Sequence, residues 1–399
     1  RCDSVMNICF ISREYPPETH GGGIGTYTHN TASALARLGH LVHVVTATQD
    51  QEKSYLESGV WVHRIKSRRI RPKELWLMKH SLSVAKRISR LPCHLDIVQA
   101  SEFESEAFWY ARRRKAPLIT RLSTPYFLIE QLNSKVFWGP RPFFNWMEKK
   151  QVLRSDGIFT STRALARVAV ERWAIQPARV EIIPNSVDLS RVVRLGKDRD
   201  VPQGLMDKDF LLYFGRLEER KGIPILAQAL PPVFKRFPHL HAVFVGADLG
   251  CQGSSMRKYI RHQTGGFQER LIFFDHLPQE RLFPMVNLAK IIVLPSIWEA
   301  FGFVCLEAMA LGGAVVATSG SGFEEIIEDG ISGYLVKPGQ AELLAEKIIQ
   351  VLSNEQDLPR ISEGARMRAQ EFDVSKVALR LLAYYKKTRE EWRRKKSRV

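Results

Sequence analysis

Two glutamates, Glu299 and Glu307, flank a short loop that joins a predicted strand to a predicted helix. Residues 291–294 are apolar and end at a Pro-Ser turn, and apolar residues recur at helical spacing over 304–311. A helix N-terminus offers free N–H groups and a positive dipole end, which favour phosphate. Carboxylates instead accept hydrogen bonds from sugar hydroxyls. The pair could therefore bind hydroxyls on either side of a diphosphate, although this spacing alone equally fits two incidental surface glutamates.

A second strand–turn–helix, at 211–222, supplies positive charge. Arg216 follows the apolar residues 211–214 directly, at the carboxyl edge where open α/β sheets bind ligands. Lys221 lies five residues further on, near the start of the next predicted helix. An arginine fork and a lysine point charge together suit a diphosphate. A solvated basic turn would look the same in isolation, but two such elements in one half of the chain favour an anionic ligand.

A glycine-rich loop, 21–25, follows the first predicted strand at 6–11. Glycines let the backbone approach a phosphate closely, and they also serve in tight turns. The loop lacks the G-x-G-x-x-G spacing of a dinucleotide fold. A helical pattern over 28–38 and a strand over 41–46 complete a β-loop-α-β unit.

Apolar strands alternate with helical patterns along the chain, which predicts an α/β protein with two mainly parallel sheets wrapped by helices. A length of 399 residues exceeds one typical core. We predict an N-terminal domain over 1–188, a polar linker over 189–207, a second domain over 208–374 and a C-terminal helix with a basic tail over 375–399. Further strands are predicted at 97–98, 118–120, 157–160, 180–183, 211–214, 242–245, 271–274, 291–294, 314–317 and 333–336.

Composition excludes several classes of protein. An apolar content of 45% with 10% aromatics indicates a globular chain. No run of about 18 apolar residues predicts a transmembrane helix, and the first residues lack a signal-peptide core. The five cysteines include no Cys-x-x-Cys pair and the eleven histidines no His-x3-His pair, so we expect buried thiols in a reducing cytosol and no metal site.

The net charge of +17 is unevenly distributed. Segment 64–90 holds ten basic residues and one glutamate, and the last fifteen residues hold eight basic against two acidic. Residues 73–90 read as a helix with a stripe of Leu75, Met78, Leu82, Ala85 and Ile88, and 137–146 supply an aromatic cluster. This combination predicts peripheral contact with the anionic inner face of a membrane. Alternatively, the stripe packs in the core and the lysines are only solvated. A nucleic-acid binder is disfavoured because no nucleic-acid module is recognised.

Three ordered motifs resemble those of the retaining glycosyltransferases of family 4, also called group 1, which have the GT-B fold. Residues 215–222 resemble the family's Gly-Arg-Leu-x-x-x-Lys-Gly, and 299–308 resemble its Glu-x7-Glu block with Ala300 for a glycine. Residues 183–188 resemble Ile-Pro-Asn-Gly-Val-Asp, with serine for the glycine. The resemblance extends over nearly the whole chain.

The resemblance implies two Rossmann-like domains facing each other across a donor/acceptor cleft, with the C-terminal helix crossing back to the N-terminal domain. It implies a hexosyltransferase of class EC 2.4 that retains anomeric configuration. The donor would be a nucleoside-diphosphate sugar, and the acceptor a hydroxyl of a glycan, a lipid-linked molecule or a small molecule. No metal and no other cofactor would be required.

The resemblance also implies roles for individual residues. Arg216 and Lys221 would stabilise the leaving diphosphate, and these two with Glu299 are the predicted catalytic residues. Glu299 would hold the donor sugar and Glu307 the ribose. The predicted donor-binding residues are Gly22, Gly23, Asn185, Arg216, Lys221, Glu299, Phe301, Gly302, Phe303 and Glu307.

One position departs from the family pattern. Relatives often read Arg-Leu-His-Thr-Pro where residues 121–125 carry Ser123. Serine can donate a hydrogen bond to an acceptor or a sugar, but it cannot carry a proton at neutral pH as histidine can. The substitution leaves open a donor-binding pseudoenzyme that acts as a scaffold. A sugar-nucleotide epimerase is a further alternative, against which the Glu-x7-Glu block argues.

Overall fold

The computed structural model describes residues 5–19, 22–132, 141–198, 200–251 and 253–397. They form two compact units. The first contains the described residues up to Ser186, apart from Leu132, together with those from Val374 onward. The second contains residues 187–373 and Leu132.

The first unit is an α/β layer structure in which helices cover a twisted sheet. The described residues of its sheet form eight strands in the order β3-β4-β2-β1-β5-β6-β7-β8, and every pairing is parallel except β3 with β4. Its elements are β1 (Asn7–Ile11), α1 (Gly23–Arg37), β2 (Leu41–Thr48), β3 (Lys53–Glu57), β4 (Val60–Lys66), α2 (Lys73–Ser89), β5 (Ile97–Ser101), β6 (Leu118–Leu122), α3 (Tyr126–Leu132), α4 (Arg141–Arg154), β7 (Gly157–Thr160), α5 (Arg163–Trp173) and β8 (Val180–Ile182).

The second unit repeats this architecture around a smaller sheet. Its described strands are all parallel and lie in the order β11-β10-β9-β12-β13-β14. The elements are α6 (Leu189–Gly196), β9 (Phe210–Phe214), α7 (Ile223–Arg236), β10 (His241–Val245), α8 (Met256–Thr264), β11 (Leu271–Phe274), α9 (Gln279–Leu288), β12 (Ile291–Leu294), α10 (Phe303–Ala310), β13 (Val315–Thr318), β14 (Tyr334–Val336), α11 (Ala341–Ser353) and α12 (Leu358–Ala369). Two parallel-sheet, Rossmann-like units confirm the predicted fold class.

The C-terminal helix, α13 (Val374–Lys396), belongs to the first unit, as the predicted crossing back requires. It packs against α1, and the buried hydroxyl of Tyr385 donates to the side chain of Gln99 at 2.5 Å. Residues 189–207, expected to form a linker, instead begin with α6 and lie in the second unit. Asp188 caps α6 and Val192 is buried, so this polar stretch has an apolar side that packs.

Strands β3 and β4 form an antiparallel hairpin at the sheet edge that the sequence did not predict. Arg64, expected in the exposed basic segment 64–90, lies in β4 and is only 1% exposed. Its guanidinium forms an ion pair with Glu18 at 3.0 Å and donates to the hydroxyl of Tyr55. The basic segment therefore does not form one continuous surface, because a buried strand begins it.

Helix α2 buries mainly a different face from the predicted stripe. Trp76, Leu77 and Val84 are buried, and of the stripe itself only Ile88 is buried. Leu75 and Leu82 of the predicted stripe are 45% and 41% exposed. Of the predicted aromatic cluster at 137–146, residues 137–140 lie outside the described part of the chain. Within the described ranges, no helix has the length and apolarity needed to cross a membrane.

Candidate active site

Two predicted donor-binding residues, Lys221 and Glu299, meet where the order of strands in the second sheet reverses. The chain adds β10 and β11 on one side of β9, and it adds β12, β13 and β14 on the other. Open α/β sheets bind ligands at the carboxyl ends of strands beside such a switch point. Lys221 follows β9 and Glu299 follows β12, and the two side chains form an ion pair there.

Gly222 explains how the two loops come this close. Its φ is +69°, and a β-carbon there would overlap the carbonyl oxygen of Pro295, the residue after β12. Only glycine combines the left-handed conformation with this contact between backbones. The glycine that ends the first motif therefore holds Lys221 against the loop that carries Glu299.

The Lys221–Glu299 ion pair is largely shielded from solvent, with 15% and 12% of the two side chains exposed. Burial favours the neutral acid, but the positive charges of Lys221, Arg220 and Arg216 lower the pKa of Glu299 below its usual value. Glu299 is therefore an ionised hydrogen-bond acceptor whose nearest partner is a cation suited to phosphate.

Arg216 is the more accessible cation of the site. Its side chain is 56% exposed and forms an ion pair with Glu218 at 3.1 Å. Glu218 also accepts from Arg220 at 2.9 Å. Because the Arg216 end of this pair is open to solvent, an anionic ligand could compete with Glu218 for Arg216.

The N-terminus of α10 forms the third part of the site. Gly302 caps the helix with a φ of +105°, and a β-carbon there would overlap the ring of Phe323. Phe301 is buried and its ring contacts Phe303 and Phe372 edge to face, at centroid distances of 5.7 and 6.0 Å. These rings hold the turn that carries the amides of residues 301–303 at the helix start.

Glu307 lies one turn inside α10, on the same helix end. Burial raises its pKa to about 7, and the positive charge of Arg191 opposes this shift only in part. The side-chain amide of Gln279 donates to its carboxylate at 3.4 Å. Glu307 therefore differs from Glu299: its pKa is raised rather than lowered, and its carboxyl is partly protonated near neutral pH.

The first unit has its own switch point, between β1 and β5. Gly22 and Gly23 lie beside it, where Gly22 caps α1 and Gly23 begins that helix. The amide of Gly22 donates to the carboxylate of Glu14 at 2.8 Å. Because the Glu14 carboxylate would repel a phosphate, a ligand hydroxyl is favoured over a phosphate at this point of the loop.

Ser123 points into the first unit and is 6% exposed. Its amide donates to the carboxylate of Glu102 at 2.8 Å, and its hydroxyl lies 2.8 Å from that of Ser101. Glu102 is fully buried, which raises its pKa, and the bonds from Ser123 and Ser101 partly oppose this. The predicted contact of Ser123 with an acceptor or sugar stays a prediction, because its hydroxyl already has protein partners.

Asn185 is also a buried residue of the first unit. Its side-chain oxygen accepts from the guanidinium of Arg121 at 2.8 Å, and that guanidinium lies 3.9 Å from the ring centroid of Tyr27. The structure thus places Asn185 in a packed polar layer, and its donor-binding role stays a prediction.

The sequence prediction missed an ionic cluster at the carboxyl end of β5. Glu104 forms ion pairs with Arg13 and, at 2.9 Å, with Lys73, and Glu106 accepts from His80 at 3.0 Å. Glu104 and the residue after it have positive φ values of 57° and 53°, which non-glycine residues adopt uncommonly. The alternating glutamates 102, 104 and 106, shortly after the strand predicted at 97–98, were the available signal.

No group of three or more His, Cys, Asp and Glu side chains in the described part of the chain is arranged to hold a metal ion. Arg216 and Lys221 supply positive charge at the switch point of the second sheet.

Comparison with protein families gives two matches in tandem. Residues 21–191 match the model described as Glycosyltransferase Family 4. Residues 197–368 match the model described as Glycosyl transferases group 1.

Individual proteins are similar over nearly their full lengths. The D-inositol 3-phosphate glycosyltransferase of Frankia alni is 27% identical over 404 residues, which cover 94% of this chain and 96% of that protein. Sucrose-phosphate synthase from Thermosynechococcus elongatus has a TM-score of 0.78 at 21% identity, covering 96% of this chain and 98% of that one. Anabaena HepE, solved with UDP and glucose, has a TM-score of 0.71 at 19% identity, covering 95% and 99%.

Proposed function

Because the chain belongs to the group 1 glycosyltransferases of family 4 type, which have the GT-B fold, we propose a specific reaction for it. It transfers a hexose from a nucleoside-diphosphate sugar to an acceptor hydroxyl, with retention of anomeric configuration and without a metal ion. The acceptor is a glycan, a lipid-linked molecule or a small molecule.

One observation carries this proposal: the Lys221–Glu299 pair at the switch point of the second sheet, with Arg216 beside it. A diphosphate needs the cations, and a sugar needs an ionised acceptor for its hydroxyls. Lys221 supplies a cation and Glu299 supplies the ionised acceptor, and the two side chains are in direct contact. The N-terminal turn of α10 adds backbone donors.

The proposed reaction breaks the bond between the sugar's anomeric carbon and the diphosphate oxygen, and the bonding electrons remain on that oxygen. Arg216 and Lys221 stabilise the growing negative charge. The acceptor oxygen bonds to the anomeric carbon on the face that the diphosphate leaves. The acceptor's proton moves to the departing phosphate oxygen, so the route requires no histidine at position 123.

The compared proteins support a nucleotide-sugar donor by analogy. Anabaena HepE was solved with UDP and glucose, and the Frankia protein is named a glycosyltransferase. A carboxylate on each side of the diphosphate, Glu299 and Glu307, suits a ligand with hydroxylated groups at both ends.

A hydrolysis screen across UDP-, GDP- and ADP-sugars tests this function. We expect the purified chain to release nucleoside diphosphate from one of these donor classes, at an unchanged rate in excess EDTA. The Glu299→Gln variant should lose most of this rate, because the donor sugar loses a charged acceptor. Donor binding without turnover for every sugar would instead establish the scaffold alternative, and a rate abolished by EDTA would contradict metal independence.

We place acceptor recognition at the ionic cluster after β5 of the first unit. Glu104, Arg13 and Lys73 combine an acceptor of hydrogen bonds with two donors, which suits a polyhydroxylated molecule. The strained backbone at Glu104 supports a functional role.

Glu104→Gln is expected to raise the acceptor KM about tenfold or more, since a charged acceptor is lost. Donor hydrolysis without acceptor should change less than twofold. Steady-state transfer kinetics with the identified acceptor check this, with the exposed Glu171→Gln on α5 as matched control. Equal losses in transfer and donor hydrolysis would place Glu104 outside acceptor binding.

We also propose that the first unit contacts an anionic membrane surface through the exposed part of segment 64–90. Lys66, Arg68, Arg69, Arg71, Lys79 and Lys86 are exposed. Each basic residue near such a surface contributes about 1 kcal/mol. Lys73 and Arg87 contribute less, because Lys73 is paired with Glu104 and Arg87 donates to Ser54 and His63. Co-sedimentation with acidic vesicles that falls as salt rises is the expected result.

A further inference from the structure

A groove of about 740 Å³ lies between the C-terminal half of α2 and the chain segments that precede β5 and β6. Its floor is apolar, because Ile88, Leu91, Leu95 and Tyr110 are buried beneath it. Leu82 and Trp109 extend the apolar lining toward solvent. The volume lies within the range of small-ligand pockets.

The rim of this groove is positively charged. Lys86, Arg112, Arg113 and Lys115 line it and are exposed, and none of the described residues that line it is acidic. An apolar floor below a cationic rim fits a molecule with an apolar chain and an anionic head. A soluble anion would leave the floor unfilled, and a neutral apolar molecule would leave the rim without a partner.

The groove lies at the amino ends of β5 and β6, the edge opposite the ionic cluster and Ser123. It is therefore separate from the candidate acceptor site of the same unit. The end of α13 is anchored at this edge, because Arg389 and Arg393 pair with Asp96 at 3.0 and 3.2 Å. Asp96 directly follows the groove residue Leu95. The last turn of α13, residues 393–396, is entirely basic.

The outer face of α2 connects the groove to solvent. Leu75, Lys79, Leu82 and Lys86 recur at helical spacing and are all exposed. Leu82 and Lys86 belong both to this face and to the groove. An apolar and basic face that leads into an apolar groove is the arrangement expected of a lipid-facing surface.

We propose that this groove binds the acyl chain of an anionic lipid, with the lipid phosphate at Lys86, Arg112 and Arg113. The inference rests on the proposed membrane contact and deepens it, since it names the site that takes an individual lipid. It requires neither donor binding nor catalysis.

Cys93 provides a direct probe, because it lines the groove and is partly exposed, whereas Cys9, Cys251 and Cys305 are buried. The rate of maleimide addition at Cys93 would be measured on the full chain by peptide mass spectrometry. The ligand is dioctanoyl phosphatidylglycerol below its micelle concentration. Dioctanoyl phosphatidylcholine tests the charge requirement, and glycerol 3-phosphate tests the head group without a chain.

We expect phosphatidylglycerol to slow labelling saturably, by at least tenfold. Phosphatidylcholine should slow it less than threefold, and glycerol 3-phosphate should not slow it. Arg112→Gln with Arg113→Gln should raise the half-protecting lipid concentration about 30-fold, as the loss of two basic contacts predicts. The matched control, Lys150→Gln with Arg167→Gln, removes two exposed charges from α4 and α5 and should change it less than twofold.

Unchanged labelling in phosphatidylglycerol would overturn the groove as a lipid site, and equal protection by phosphatidylcholine would overturn the role of its rim. Acidic-vesicle binding measured on the same samples separates the two proposals. Vesicle binding without Cys93 protection would leave the membrane contact standing and remove the groove. Absence of both vesicle binding and Cys93 protection would contradict the membrane contact and the groove alike. Donor hydrolysis tests the enzymatic function independently.

Discussion

Alanine at Arg216 or at Lys221 is expected to lower turnover about 100-fold in each case, because each cation stabilises charge that develops on the leaving diphosphate. The donor KM should change less than turnover, since this charge is greatest in the transition state. Steady-state transfer or donor hydrolysis, with the donor at saturating concentration, measures both quantities. The double variant with near-normal turnover would exclude this turn from the diphosphate site.

The Lys221 variant requires a structural control, because it leaves the largely buried Glu299 carboxylate without its cation. Turnover of Lys221→Ala should therefore be measured well below the variant's own Tm, where it is folded, and should still be about 100-fold low. Lys235→Ala with Arg236→Ala removes two exposed charges from the far end of α7 and should leave turnover unchanged. Normal turnover of the folded Lys221→Ala variant would show that Lys221 acts only through folding.

Donor affinity is expected to rise about tenfold between pH 6 and pH 8, because Glu307 must lose its proton to accept hydrogen bonds with both oxygens. Its pKa of about 7 leaves roughly a tenth of the carboxyl groups ionised at pH 6 and nine tenths at pH 8. A nucleoside-diphosphate sugar is the appropriate ligand, since its diphosphate has no group that titrates in this range. Calorimetry at both pH values gives the two dissociation constants.

Glu307→Gln should make donor affinity independent of pH in this range and, at pH 8, weaken it about tenfold. The same substitution also changes how the free energy of unfolding of the ligand-free protein depends on pH. The folded state keeps the Glu307 proton between the unfolded pKa of 4.5 and the folded value of about 7, so the free energy of unfolding falls as pH rises through this window. In the Glu307→Gln variant, this decrease in the free energy of unfolding should be absent. A variant with the wild-type pH dependence of donor affinity would assign the titration to another group.

The sequence determined the repeating units of this protein, because their signals are local. Apolar runs such as 211–214 and 291–294 predicted strands, and the motif ending at Gly222 placed two cations directly after one of them. Residues within eight positions of each other share one loop or about two turns of a helix, so their neighbourhood can be predicted without the rest of the chain.

Hairpin β3–β4 and the face of α2 show where local patterns were insufficient. Strand β3 is polar and β4 carries Arg64, whose burial depends on Glu18, distant in sequence. On α2, the stripe with Leu75 and Leu82 and the buried face with Leu77 and Val84 both recur at helical spacing. Only packing against the sheet decided which face is buried.

The tertiary structure alone decided which side chains form pairs. Lys221 and Glu299 are 78 positions apart, and parallel pairing of β9 with β12 brings their loops together. The same edge geometry gave Glu307 a partly buried position, and this burial raises its pKa. The tertiary structure also directed the Ser123 amide and hydroxyl to the carboxylate of Glu102. The residue types determined which groups can donate or accept a hydrogen bond or carry a charge. Strand order determined the distances between these groups. Those distances, together with burial, determine the charge state of each group and what it can bind.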